Sequence, residues 1–258
     1  MILRARSRIG KYRVVTRIAS GGFARVYAAF DTIEGRRVAL KVQRENASKD
    51  HVELFRKEIR LLVRLDHPHV LQVLNADEID GRLVVAHPLG VESLAQRLHR
   101  RMSVHTSLDI FEQLLSALVY AHGKRILHCD VKPDNVILFD EGLVQLADFG
   151  LAREAVRTIA GSGSGTLGYM APEQAMGRPS FRSDVFSAGL VLYRMLAGDL
   201  PEWPFKWPFP GVEKVRRKVS PEMVSFLRKA LEVNSRKRFP NAVAMQRAYE
   251  RIEHKTRR

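Results

Sequence analysis

The sequence predicts an α+β chain in two parts: a small sheet-rich lobe with one main helix, then a larger, mostly helical lobe. Three observations carry this prediction. From Tyr12 to Val42 apolar residues alternate at period two, the mark of half-buried strands. A single helical pattern, opening near Ser48, interrupts those strands. From about residue 91 the apolar spacing turns helical and stays so through much of the remaining chain.

In the first part, Tyr12, Val14 and Ile18 share one face of a strand that ends in Ser20-Gly21-Gly22. A second strand covers about Arg25 to Phe30, and Glu34-Gly35 supplies a hairpin turn into a third. There Val38, Leu40 and Val42 alternate with Ala39 and Lys41, so Ala39 and Lys41 point the same way. Ser48 and Asp50 are N-cap residues for a helix through about Leu65, with Phe55, Ile59, Leu62 and Val63 at helical spacing. His67-Pro68 ends it, and two short apolar runs, Val70–Leu74 and Leu83–Ala86, read as further strands. In the second part, Leu108, Phe111, Leu115, Leu118 and His122 mark a long amphipathic helix ending near Gly123. Further helices are expected over 183–197, 221–232 and 241–253. The whole reads as one domain, 1–258: a first lobe of about 10–86, a connection of about 87–90, a second lobe of about 91–253 and a basic tail, 254–258.

Composition narrows the classes. The chain has 258 residues with 45% hydrophobic content, enough for a substantial core, and neither Gly nor Pro is enriched. Its longest apolar stretch, Phe186 to Ala197, contains Arg194 and falls short of the ~20 residues that cross a membrane. The basic start, MILRARSRIG, lacks the apolar run of a secretory signal. The single cysteine, Cys129, allows no internal disulfide and favours a reducing, cytoplasmic setting. A net charge of +15 implies weak affinity for polyanions, but the basic residues are scattered and no aromatic residues interleave them.

Four elements carry chemistry. Ile18-Ala19-Ser20-Gly21-Gly22-Phe23-Ala24-Arg25-Val26 is a glycine-containing loop between strands, where backbone N–H groups can approach phosphates. By itself it reads equally as a turn. Lys41, inward on its strand, needs a counter-charge or a ligand, and Glu58 on the following helix is a candidate. Taken alone, Lys41 also fits a surface lysine with a buried stem. His128-Cys129-Asp130-Val131-Lys132-Pro133-Asp134-Asn135 is sharper, packing an acid, a lysine and an amide into one loop. Asp148-Phe149-Gly150 adds a second acid, and Asp and Asn oxygens suit Mg²⁺.

In this order the elements resemble the signature of the eukaryotic-type, or Hanks-type, serine/threonine protein kinase domain, a group with bacterial members. Ala171-Pro172-Glu173 follows, preceded by Gly165-Thr166-Leu167-Gly168-Tyr169-Met170. Ser183-Asp184-Val185-Phe186-Ser187-Ala188-Gly189 matches a helix start of the family, and Arg238 stands where the family pairs an arginine with the Ala-Pro-Glu glutamate. The match covers roughly residues 12–252. It implies a protein-kinase-like two-lobe fold and transfer of the γ-phosphate of ATP to Ser/Thr hydroxyls of protein substrates, with Mg²⁺ or Mn²⁺. It implies that Asp130 takes or orients the hydroxyl proton, that Asn135 and Asp148 hold metal, and that Lys41, fixed by Glu58, holds phosphates. Lys132 would steady the γ-phosphate and, with Thr166, mark Ser/Thr specificity. Ile18, Gly21, Gly22, Val26 and Ala39 would enclose the nucleotide from one side and Ile137 from the other. Ala86 would be the gatekeeper, with a deep pocket beside it, and His87 and Leu89 would meet the adenine edge. Leu62, His128 and Phe149 would form a spine.

Two departures stand out. The family's three loop glycines correspond to Ala19, Gly21 and Ala24, which implies a stiffer loop. Cys129 replaces the arginine that clamps a phosphorylated activation segment in many relatives, so activity is expected not to depend on phosphorylating 151–170. Thr158, Ser162 and Ser164 remain candidate autophosphorylation sites in a Gly/Ser-rich stretch. The alternatives are a pseudokinase acting as a nucleotide- or partner-binding module, a small-molecule phosphotransferase, and a nucleic-acid binder resting on charge alone.

Overall fold

The computed structural model describes residues 3–22, 24–149 and 166–256. They form two compact units, one of residues up to Asp66 together with Val70–Val91, the other of His67–His69 with Glu92 onward.

The first unit is a six-stranded antiparallel sheet in the order β1-β2-β3-β4-β6-β5. Its strands are β1 (Arg8–Ile9), β2 (Tyr12–Ser20), β3 (Ala24–Asp31), β4 (Arg36–Gln43), β5 (Asn75–Ile79) and β6 (Arg82–Pro88), and helix α1 (Lys49–Leu62) lies between β4 and β5 in sequence. The period-two pattern holds for Tyr12 and Val14, but register shifts after Val14 and after Arg17 take Ile18 off their face and leave it exposed. Tyr12, Val14, Tyr27, Val38, Leu40, Val42, Val84 and Ala86 gather into one buried cluster. Phe55 of α1 packs with Leu83 and Val85, joined by Val52, Ile59 and Val73. The hairpin at Glu34-Gly35 turns through Gly35 at φ +69°, a left-handed conformation that suits glycine. Ser48 caps α1, its side chain accepting from the His51 N–H.

Three expectations shift. Val70–Leu74 is not a strand: Val70 and Leu71 are buried in a loop, and the ladder starts at Asn75. A short apolar run reports burial, not conformation. Helix α1 stops at Leu62, before Leu65, because Arg64 and Leu65 turn back onto the carbonyls of Leu61 and Leu62. Strand β6 runs on to Pro88, which stands opposite Val38.

The second unit holds a small sheet, β7 (Glu92–Ser93), β8 (Val136–Leu138) and β9 (Val144–Leu146), in that order. Its helices are α2 (Leu94–Arg97), α3 (Val104–Gly123), α4 (Pro172–Ala175), α5 (Phe181–Ala197), α6 (Val212–Lys218), α7 (Pro221–Ala230), α8 (Ala242–Glu250) and α9 (Glu253–Thr256). Nearly every side chain of α5 is buried, so it forms the centre of this unit, against which α3, α6, α7 and α8 pack. Phe111, Phe226 and Tyr249 make a ring cluster linking α3, α7 and α8. Helix α6 is not expected from periodicity, since Val212 and Val215 alone are buried in it. No described helix is long and apolar enough to cross a membrane.

Candidate active site

The first unit presents a lysine on a face of small side chains. The register sets Val26 opposite Lys41 and Ala28 opposite Ala39, so these four share one face of the sheet. On β6, Val85 stands opposite Lys41 and His87 opposite Ala39, which adds both to that face. Lys41 Nζ lies 2.7 Å from Glu58 Oε1 and 5.3 Å from the centre of the Phe55 ring. Glu58 is buried and Lys41 nearly so, which makes this pair a fixed feature rather than a surface contact. A snorkelling lysine would not look like this.

The same register corrects the gatekeeper. Ala86 stands opposite Leu40 and belongs to the apolar cluster on the other face of the sheet. The residues on the face of Lys41 are Val85 and His87, because side chains alternate and a shift of one residue changes the face. The deep pocket expected beside Ala86 therefore loses its basis. His87 is buried, with Nδ1 2.8 Å from the Gln72 carbonyl, and Leu89 follows the end of β6.

The glycine loop is a tight hairpin, closed by the Gly21 N–H donating to the Ala24 carbonyl at 2.9 Å. Ala19 and Ala24 sit in paired strands, opposite Val26 and Gln43. Neither is among the residues with positive φ, so alanine meets no backbone penalty at either position. Ile18 is exposed, and a Cβ at Gly22 would meet nothing within 4 Å.

The second unit gathers the sharper set. Asp130, Lys132 and Asn135 follow α3 in one loop. Lys132 Nζ is 2.8 Å from Asp130 Oδ2. Asn135 Nδ2 donates to the Asp130 carbonyl at 2.8 Å and to Asp130 Oδ2 at 3.0 Å. With its nitrogen committed, Asn135 has its amide oxygen left as a metal-type ligand. Burial pushes the Asp130 carboxyl above the usual aspartate range, with the Lys132 ammonium pulling the other way. Asp148 lies just past β9 at φ +61°, a left-handed conformation that turns the chain there. Ile137 stands opposite Gln145 and Ser93 in the small sheet.

Among the described residues no three His, Cys, Asp or Glu side chains converge on a metal position. One Asn oxygen and one Asp carboxylate are the sparse protein share that Mg²⁺ takes when phosphates and waters complete its shell.

The loop is held from beneath by Asp184, which was legible only as part of a motif. Asp184 Oδ2 accepts the His128 N–H at 2.9 Å, and Oδ1 accepts the Cys129 N–H at 2.7 Å. These bonds hold Cys129 at φ +60°, where a residue with a Cβ is strained. His122 Nδ1 accepts from the Ala242 N–H, so its Nε2 carries the proton and donates to Asp184 at 2.9 Å. His128 stacks edge-on with Phe149 at 4.6 Å, and its Nε2 donates to the Ala147 carbonyl at 2.9 Å. Leu62 belongs to the other unit. Gln174 donates to the Cys129 carbonyl. Burial and the nearby Asp184 and Asp130 carboxylates push the Cys129 thiol up, so it stays protonated and structural.

Arg238 meets Glu173 as expected, through two parallel bonds of 2.8 and 3.0 Å. Thr158, Ser162 and Ser164 lie outside the described residues. Thr166 opens a 3₁₀ turn.

A sheet with one helix, then a helical unit bearing this loop, is the architecture of a phosphotransferase of the protein kinase class. The family model for the protein kinase domain matches residues 12–250, and the chain belongs to that family. It is similar to bacterial serine/threonine-protein kinases. These include PknA of Mycobacterium tuberculosis, 39% identical over 74% of this chain and 48% of that protein. PrkC of Bacillus subtilis is 33% identical over 74% and 31%. The probable serine/threonine-protein kinase pknA2 of Bifidobacterium longum is 33% identical over 84% and 32%. The chain thus spans between 31% and 48% of the length of these relatives, and its kinship is with Hanks-type serine/threonine kinase domains.

Proposed function

We propose that this chain transfers the γ-phosphate of ATP to Ser and Thr hydroxyls of protein substrates in a reducing, cytoplasmic setting. The observation that carries the reading is the Asp130–Lys132–Asn135 constellation, a part-buried carboxylate with a lysine and an oriented amide in one loop. Phosphoryl transfer needs positioning and charge stabilisation more than covalent chemistry. Lys41, held by Glu58, grips the α- and β-phosphates. Asp130 orients the substrate hydroxyl and accepts its proton as the oxygen–phosphorus bond forms and ADP departs. Lys132 balances charge on the moving phosphoryl group. Asn135 and Asp148 hold Mg²⁺, which when bound neutralises charge on the phosphates. Relatives named serine/threonine-protein kinases support the choice of hydroxyl.

The test is transfer of labelled phosphate from ATP with Mg²⁺ to acidic and basic protein substrates, with the modified residues mapped by mass spectrometry. Label on Ser and Thr supports the reading. ATP binding without any transfer overturns it in favour of a nucleotide-binding module.

A raised Asp130 carboxyl has a kinetic consequence. A base must be ionised, so the rate falls as acid protonates it, and here the fall begins at higher pH than an ordinary aspartate would give. The expected kcat profile has an acid limb above the normal aspartate range, and a limb at or below that range contradicts the assignment.

Cys129 offers no guanidinium for a phosphorylated segment. The support the loop does have comes from Asp184 and Gln174, neither of which needs a phosphate. Alanine at Thr158, Ser162 and Ser164 together is expected to leave transfer to an added substrate within about twofold, where losing a needed charge-assisted contact would cost about tenfold or more. Abolished transfer would sink the idea.

A further inference from the structure

We infer that Arg44 is a positioning residue for the glycine loop, acting through Ser20 and resting on the kinase reading above. Arg44 follows β4 directly, yet its Nη2 donates to Ser20 Oγ at 2.9 Å, and Ser20 is the last residue of β2. Strand β3 lies between those two strands, so the arginine straddles the end of β3 to reach the root of the loop.

The register decides which side of the sheet this happens on. Ala19 pairs with Val26 and Val26 with Lys41, which assigns these three to the nucleotide face. Ser20 pairs with Arg25 and Arg25 with Val42, which assigns them to the other face. Arg44, two residues past Val42, grips Ser20 from that outer side. It therefore leaves the inner side of the loop open and does not itself compete for phosphate.

The grip is suited to the task. The Arg44 Nε is shielded from solvent, while the bond from Nη2 to Ser20 lies at the surface. A charged donor to a hydroxyl is stronger than a neutral pair. Its position at the last paired residue before Gly21 fixes where the Gly21 and Gly22 N–H groups can point. A loop with alanine at 19 and 24 has its ends committed to strand pairing, and the clamp extends that order by one more residue.

The test uses Ser20→Ala, Arg44→Met, their combination and Arg44→Lys, with melting temperatures as a folding control. The expected result is an ATP KM raised about three- to tenfold in each single variant with kcat within about twofold, as loss of one such bond implies. The double variant should be no worse than either single one, and Arg44→Lys should recover part of the loss. Hydrogen exchange without nucleotide, over peptides covering 16–28, should speed up in Ser20→Ala and Arg44→Met alike. Additive effects, an unchanged KM, or unchanged exchange would overturn the clamp. If the wild type bound no ATP, the kinase reading would fail by itself, and the exchange result would still decide whether Arg44 orders the loop.

Discussion

Asp130→Asn is expected to cut phosphate transfer by about 10²–10⁴-fold, the contribution typical of a positioned base. ATP affinity should change little, because in the proposed mechanism the residue acts on the hydroxyl and not on the nucleotide. The fold should survive. The side chain keeps its shape, and Asn135 and Lys132 both remain. The stability effect has a defined sign. Burial raises the folded carboxyl's pKa, so this group favours folding as pH falls through the folded value towards the unfolded one. Above the folded value its ionised form costs stability. Asn removes that cost together with the Lys132 attraction, so the melting temperature at neutral pH should stay level or rise slightly. Steady-state kinetics beside thermal melts read both. An Asn variant that keeps wild-type kcat would remove Asp130 from the mechanism.

Glu173→Ala is expected to be strongly destabilising. The Arg238 side chain is fully buried and donates two bonds to Glu173, which also accepts from Ser183 Oγ at 2.8 Å. Burial lowers the pKa of Arg238 and Glu173 opposes that, so removing the carboxylate leaves a desolvated guanidinium. Breaking such a pair from one side costs about 3–5 kcal/mol. Arg238 keeps the carbonyls of Arg182, Val233 and Glu232, which places the cost near the lower end. At about 2–4 °C per kcal/mol for a chain of this size, the melting temperature should fall by roughly 6–12 °C. Replacing Arg238 and Glu173 together by Met and Leu should cost less than Glu173→Ala alone, since no charge is then stranded. An unchanged melting temperature in Glu173→Ala would show the pair to be incidental.

Much of this was legible in residue order. The alternation in β4 predicted the shared side of Ala39 and Lys41, whereas two register shifts in β2 move Ile18 off the face of Tyr12 and Val14. Ser48, Ser103, Ser220 and Asn241 cap their helices by local chemistry that a linear reading can follow. Where local signals thin out, the reading slipped. Val70 and Leu71 are apolar because they are buried, not because they are extended. The resemblance makes Ala86 the gatekeeper, whereas the register sets it opposite Leu40, away from the face of Lys41. In the aromatic repeat Trp203-Pro204-Phe205 and Trp207-Pro208-Phe209, Phe205 meets Phe186 of α5 while Trp207 and Phe209 meet Tyr193, contacts that no local pattern announces.

By itself the sequence determined the two-part α+β organisation and named the residues proposed to carry chemistry, because strand period, caps and the spacing of acids, amide and lysines are properties of neighbours along the chain. Only the tertiary structure decided that Lys41 is paired within the fold, that Asp184 supports the loop at Cys129, and that Arg44 reaches Ser20. Each of these joins residues far apart in sequence. Register and burial decide such contacts, and neither is written in any local window.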